Sequence, residues 1–334
     1  MRSLVLAGAL TLVACASTGP VAVAPSCEVS AEDRAWVDAS LEAWRFTARE
    51  ITEAPSPPTI EAVFFDGDCV LSSANAFGAV TPAEVTWIAT PHSGEVILPG
   101  GDAMPAGVSS FASAEGGRPF FVMSTPSVWR EAGVSNEALG LEKMMTAVLL
   151  HEVSHVAQTR GYGARLTALI EANDLSDEFN DNAVQERFAD NAEFAASVAR
   201  ETNLFFQAAM AQDDATARRL ATQARDMMRT RQARWYTGAD AYFAEAEDVW
   251  LTFEGSGQWL GFQWLVHPSG GDVDTEAAMQ NFARRGRQWS QTEGVALAFA
   301  LSRIARFDWK REAFGGGSAT LLEMLDRELA APPG

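Results

Sequence analysis

The reading of this chain turns on Leu141-Glu142-Lys143-Met144-Met145-Thr146-Ala147-Val148-Leu149-Leu150-His151-Glu152-Val153-Ser154-His155-Val156-Ala157-Gln158. An apolar-rich run from Leu141 to Leu150 leads into His151-Glu152-Val153-Ser154-His155. Histidines four residues apart on a helix stand on one face about a turn apart, where both can ligate one ion. A glutamate between them can then act on water activated by that ion. The chain has only 4 histidines, so two of them in this pattern are a specific signal for metal chemistry. The alternative is a pair of helical histidines making ordinary hydrogen bonds.

Outward from this stretch the pattern predicts one long helix. Ser135 and Asn136 offer amino-terminal caps, Glu137 favours the first turn, and Gly161 and Gly163 are expected to stop it just beyond Arg160. Further helical blocks are read at 182–211, 214–235, 239–266, 274–284, 290–306 and 319–329. Upstream, residues 30–52 carry Val37, Leu41, Trp44 and Ile51 at helical spacing, with Ser30 as cap. Between 60 and 123 the texture changes to short β-branched and aromatic runs punctuated by Gly, Pro and Asp. The expected strands are 62–65, 85–89, 95–98 and 119–123. The fold class is therefore α+β, a small amino-terminal sheet followed by a predominantly helical body.

The amino terminus reads as an export signal. Met1-Arg2-Ser3 followed by the short apolar run Leu4 to Val13 is too short to span a membrane. Its end, Leu12-Val13-Ala14-Cys15, resembles the lipobox of bacterial lipoproteins, which implies cleavage after residue 14 and lipidation of Cys15. Ala16 in the next position implies the outer membrane by resemblance to lipoprotein sorting rules. Residues 15–26 then form a lipidated tether, and 27–334 a single domain with a helix-and-sheet part (27–134) and a helical part (135–334). The two other cysteines, Cys27 and Cys69, suit an oxidising compartment and are expected to form a disulfide joining the first helix to the first strand. On the chain-entropy model such a loop contributes roughly 3–4 kcal/mol. Two buried thiols are the alternative. The formal net charge of -19 argues against nucleic acid or an anionic membrane surface as partner. The basic residues Arg218, Arg219, Arg225, Arg229, Arg231 and Arg234 read as a solvated helix face paired with acids.

The His-Glu-x-x-His stretch in its helical setting resembles the zincin metallopeptidases. The resemblance implies a Zn2+ cofactor held by His151 and His155, Glu152 as general base, a peptide or protein substrate, and a sheet whose edge strand pairs with that substrate. A catalytic zinc generally keeps three protein ligands. The metzincin pattern would need a glycine and a histidine where this chain has Gln158 and Gly161, so the third ligand is sought among glutamates, as in a gluzincin. Glu254 stands in Val249-Trp250-Leu251-Thr252-Phe253-Glu254-Gly255-Ser256-Gly257-Gln258-Trp259-Leu260, apolar on almost every side, where an ionised carboxylate is costly unless neutralised. Gly255 and Gly257 let another helix approach. The segment resembles the Glu-Gly-x-Ala-x-Tyr motif of several gluzincins, with Gly257 and Trp259 in its last two places and the long stretch 156–253 as its departure.

Glu186 is the alternative, in Gln185-Glu186-Arg187-Phe188-Ala189-Asp190, similar to the Glu-x-x-Ala-Asp pattern in which the aspartate (Asp190 here) orients a zinc histidine. Glu186, Asp190, Glu193, Ser197 and Glu201 could equally form a polar stripe facing water. Glu293 also precedes a glycine, but Ser290 and Glu293 are expected to make a helix capping box. Glu171 and Glu178 have no motif around them, and His92 and His267 suit turn and capping roles. Tyr236, Tyr242 and Arg234 are available donors for an oxyanion, with none assigned. Two function classes stay open. One is a zinc metallopeptidase anchored in the bacterial envelope and facing the periplasm; the other is a non-catalytic, zinc-stabilised or metal-free lipoprotein that binds a protein partner. A hydrolase of other amides would use the same residues. The sequence leaves the oligomeric state open.

Overall fold

The computed structural model describes residues 27–53, 60–73, 84–115, 118–176, 179–284 and 287–331. The expected signal segment 1–14, Cys15 with its tether 15–26, and Glu178 lie outside the described residues. Helix α1 (Ala31–Glu50) begins where its cap predicts, Ser30 Oγ accepting from Asp33 N at 3.0 Å, and buries Trp36, Val37, Leu41 and Trp44.

Strands β1 (Glu61–Phe65), β2 (Cys69–Ser73), β3 (Trp87–Pro91), β6 (Ser110–Glu115) and β7 (Arg118–Ser124) form one sheet in the order β3-β2-β1-β7-β6. The β1/β7 pair is parallel and the other pairs are antiparallel. Strands β4 (Glu95–Ile97) and β5 (Ala103–Pro105) form a separate antiparallel pair. Phe64, Leu71, Phe121 and Met123 face the helices, while Val63, Phe65, Val70, Phe120 and Val122 pack with Val96 and Met104 of the β4/β5 pair. Burial on both faces explains why Ala62-Val63-Phe64-Phe65 reads as a continuous apolar run without alternation.

Strands β2, β5 and β6 were not expected from the sequence. The edge strand β6, Ser110-Phe111-Ala112-Ser113-Ala114-Glu115, is made mostly of small residues of low β-propensity and is set by its pairing with β7. The Cys27–Cys69 disulfide is formed, but Cys69 opens β2, so the link joins the segment ahead of α1 to the second strand, not the first.

The helical body comprises α2 (Pro126–Glu131), α3 (Leu141–Gln158), α4 (Ala164–Asn173), α5 (Ala183–Phe188), α6 (Ala192–Ala209), α7 (Asp214–Trp235), α8 (Phe243–Val266), α9 (Thr275–Ala278), α10 (Trp289–Ile304), α11 (Trp309–Phe314) and α12 (Leu321–Ala330). Three sequence expectations are corrected. Helix α3 starts at Leu141 after Gly140, and Asn136 instead caps the turn before it through Leu139 N. It does not stop at Gly161: the chain runs through a π-helical turn (Thr159–Gly163) into α4. Gly161 is needed because a Cβ there would run into the backbone of Gly317, so it marks a close approach, not an end. The block 182–211 is broken at Asn191, whose side chain accepts from the amides of Glu193 and Phe194 to start α6.

Helix α8 is buried along most of its length and packs between α3 and α10. Glycines make this possible. A Cβ on Gly255 would collide with the backbone of Gly294 on α10, and one on Gly261 would stand 2.7 Å from the Ala147 carbonyl oxygen on α3.

The amino-terminal half of α8 carries a buried charge cluster. Arg231 is enclosed by Glu201, Glu247 and Glu293, at 2.9 Å, 2.9 Å and 3.7 Å, and its guanidinium lies over the Phe194 ring. Burial works against the Arg231 charge, but Glu247, Glu293, Tyr236 and Glu201 outweigh it and raise its pKa. Burial likewise pushes the Glu293 carboxyl well above the usual range. Two expectations give way here. Glu201 is buried and does not face water, and Glu293 belongs to this cluster, α10 having Gln288 at its amino-terminal cap with no side-chain cap. Arg218, Arg225, Arg229 and Arg234 do pair with acids at the surface or partly buried; Arg231 is the member of the basic stretch turned inward.

The glycine seam has a measurable consequence. Gly255→Ala is expected to destabilise the fold by about 1–3 kcal/mol in denaturant unfolding, whereas Gly107→Ala, with open space around it, changes stability by less than about 0.5 kcal/mol. Equal midpoints for the two variants would contradict the packing described.

Candidate metal centre

Helix α3 presents His151 and His155 one turn apart, and α8 crosses it so that Glu254 meets both rings. The crossing is close because residue 257 is glycine: a Cβ there would lie 2.8 Å from His151 Nδ1 and 3.0 Å from Ser154 Oγ. The two Nε2 atoms are 2.8 Å apart, His151 Nε2 is 3.2 Å from Glu254 Oε2, and His155 Nε2 is 3.3 Å from Glu254 Oε1. Four-coordinate zinc with bonds of about 2.0–2.1 Å separates its ligand atoms by about 3.3 Å, so the three donors approximate one face of such a tetrahedron. Two imidazoles and a carboxylate are a donor set for zinc, and among the described residues this is the one group of three His, Cys, Asp or Glu side chains close enough to share an ion.

The electrostatics match that donor set. Burial disfavours the Glu254 charge, but His151 and His155 outweigh it and hold the carboxyl far below the usual range. Burial would lower His155, yet the charge and hydrogen bond of Glu254, then Glu152 and Gln158, reverse this and raise it to about 9. The Nδ1 atoms of both histidines are buried without a hydrogen-bond partner. The ring of His155 lies edge-on to Phe253, at 5.5 Å, which fixes its plane. Gln158, one turn along from His155, donates to Ser256 Oγ and to the Ala313 carbonyl, tying α3 to α8 and α11 beside the site.

His151, Glu152, His155 and Glu254 line a cleft of about 760 Å3. One wall is β6, residues Ser110 to Ala114, and among the described residues no strand pairs with its outer edge. Ser110 Oγ donates to Glu152 Oε1 at 3.1 Å, which orients the carboxylate next to the two histidines. The lining also includes Leu166, Trp250, Phe253, Gln288 and Gln291, together with Asn180 and Asp181. Burial first, and then the charge of Glu254, raise Asp181 to about 6, against a smaller opposing effect of His155.

The other sequence candidates fall elsewhere. Glu186 and Asp190 are exposed, on α5 and just after it, and Glu171 is exposed on α4. Glu293 sits with Arg231. His92 bonds the Asp66 carbonyl and accepts from Gly94 N, and His267 accepts from Ser269 N at the end of α8, so both fill turn and capping roles. None of the proposed oxyanion donors lines the cleft: Tyr236 accepts from Arg231 at 3.1 Å, Tyr242 stacks on Phe243, and Arg234 pairs with Glu193. Ser110 and Asp181 are cleft residues that the sequence reading missed. Their only sequence signal was composition: a small-residue edge strand and the turn-prone Asn180-Asp181-Asn182. Comparisons of the chain with protein-family models, curated proteins and solved structures gave no match.

Proton competition sets the pH dependence of any metal binding here. A metal displaces the proton that Glu254 stabilises on His155, so affinity should fall about tenfold per unit as pH drops below about 9 and level off above it. Titration calorimetry with Zn2+ in buffers of different ionisation enthalpy should show about one proton released per ion near neutral pH. An affinity independent of pH between 6 and 9 would contradict the assignment.

Proposed function

We propose that the protein is a zinc-dependent peptidase of the bacterial cell envelope, with His151, His155 and Glu254 as the metal ligands and Glu152 as the general base. The observation that carries the reading is Glu254 itself: a remote helix delivers a buried carboxylate to the Nε2 atoms of both motif histidines. A zinc ion held by these three residues would supply Lewis-acid chemistry, polarising a carbonyl and making water nucleophilic near neutral pH. Glu152 takes the proton from the attacking water and returns it to the leaving amine. Ser110 holds Oε1 of that carboxylate, leaving Oε2 for the proton. The outer edge of β6, with which no described strand pairs, offers backbone N–H and C=O groups to an extended peptide running through the cleft, which favours a peptide over a compact amide.

The amino-terminal sequence supports export and lipidation at Cys15, and the residue after it supports attachment to the outer membrane on the periplasmic side. No helix of the described residues is long and apolar enough to cross a membrane. The Cys27–Cys69 disulfide fits that oxidising compartment.

The test is Glu152→Gln. The variant should retain about one zinc per chain and lose peptide hydrolysis by at least about a hundredfold. Undiminished hydrolysis would overturn the mechanism. Absence of hydrolysis in the zinc-loaded wild type toward a broad peptide mixture would favour the non-catalytic lipoprotein instead.

A further inference from the structure

The cleft has a charge imbalance that the proposed chemistry does not use. Among the described residues its lining contains three acids, Glu152, Asp181 and Glu254, and neither Lys nor Arg. A divalent ion balances Glu254 and Glu152. Asp181 is the carboxylate left over, and among the described residues no Lys or Arg lies within ion-pairing distance of it. Among the described residues its side chain accepts a long hydrogen bond from Asn182 Nδ2 to Oδ1, at 3.4 Å.

The turn that carries Asp181 is firmly held. Asn182 N donates to Asn180 Oδ1 at 2.8 Å, closing the turn around residue 181. Ahead of it, Phe179 packs against Tyr242 and Phe243. Behind it, Gln185 on α5 accepts from Trp289 N and donates to the Arg287 carbonyl, fastening α5 to the start of α10. A half-buried carboxylate on an anchored turn, with no Lys or Arg partner among the described residues, is a pre-positioned acceptor for a cation brought by something else. The same cleft is lined by aromatic and neutral polar side chains, Trp250, Phe253, Gln288 and Gln291, which suit the stem of a long basic side chain.

We infer that the substrate of this cleft carries a positive charge, an ammonium or guanidinium group, that pairs with Asp181. The inference rests on the hydrolase reading for the existence of a substrate, and on the cleft's own charge for its class. Two sources share that chemistry: a Lys or Arg side chain, and a free peptide amino terminus. The summed negative field of the cleft favours either one and disfavours acidic peptides.

The experiment uses alanine octapeptides dye-labelled at the carboxyl end, each with one Lys, norleucine or Glu, in free and acetylated amino-terminal forms. Binding to the zinc-loaded Glu152→Gln protein is read by fluorescence anisotropy, and hydrolysis by the wild type as kcat/KM. A Lys peptide should bind about ten- to a hundredfold more tightly than its norleucine counterpart at one position, and the Glu peptide more weakly than both. If Lys and norleucine peptides bind alike and acetylation weakens both, the recognised group is the amino terminus; if a Lys preference is present and survives acetylation, it is the side chain. Asp181→Asn should bring the Lys and norleucine peptides to within about twofold while keeping about one zinc per chain.

Equal binding of Lys and norleucine peptides at every position, with no effect of acetylation, overturns the inference without any Asp181 variant. Loss of zinc from Asp181→Asn also overturns it, because Asp181 would then serve the metal. Charge-selective binding without hydrolysis by the wild type would sink the peptidase reading and leave the cation site standing; hydrolysis without charge preference would do the reverse.

Discussion

A buried carboxylate has to be neutralised, and in this protein the Glu254 side chain is neutralised by two imidazoles from another helix. Desolvation alone would favour its protonated form; the histidines reverse that balance. Because Nε2 of both rings reaches the same carboxylate, the pairing also fixes where α8 crosses α3. Much of the helical body is arranged to permit that crossing. Gly257 leaves room for the His151 ring, Gly261 for the Ala147 carbonyl, and Gly255 seats α8 against Gly294 of α10. The sheet completes the site from the other side, through Ser110 on the edge strand β6 and its bond to Glu152.

Helix α8 carries a second set of buried charges about two turns earlier, where Glu247 joins Glu201 and Glu293 around Arg231 and Asp248 pairs with Arg229. The two sets are handled differently. Around Arg231 the chain supplies its own cation, adds hydrogen bonds from Gln232, and holds Glu293 toward its neutral form. Around Glu254 it supplies groups that can be cationic only by holding a proton, and those same nitrogen atoms are metal donors once the proton leaves. A structural ion cluster and a candidate metal centre are thus distinguished by the chemistry of the compensating group, on a single helix.

Much of this was legible in the sequence because the relevant signals were local. His151 and His155 share a helical face by spacing alone. The burial of Glu254 followed from the apolar residues on every side of it, and Gly255 and Gly257 announced a close helix contact. What escaped was set by contacts remote in sequence. Glu201 and Glu293 read as a solvent-facing residue and a capping residue because nothing near them shows that Arg231, alone in its basic stretch, turns inward. Gly161 read as a helix stop because its true constraint, the Gly317 backbone, lies far along the chain. The edge strand β6 was missed since Ser and Ala carry little strand preference, and Asp181 since a turn-forming Asn-Asp-Asn says nothing of what the turn faces.

The central claim is that His151, His155 and Glu254 are one metal site. Its most direct measurement is zinc content and affinity, by mass spectrometry and competitive chelator titration, in the wild type and in Glu254→Ala. The account predicts about one zinc per chain in the wild type and at least about a hundredfold weaker binding once the third ligand is gone. Wild-type protein that takes up no zinc at neutral pH, or a Glu254→Ala variant that binds it as tightly as the wild type, would contradict the account.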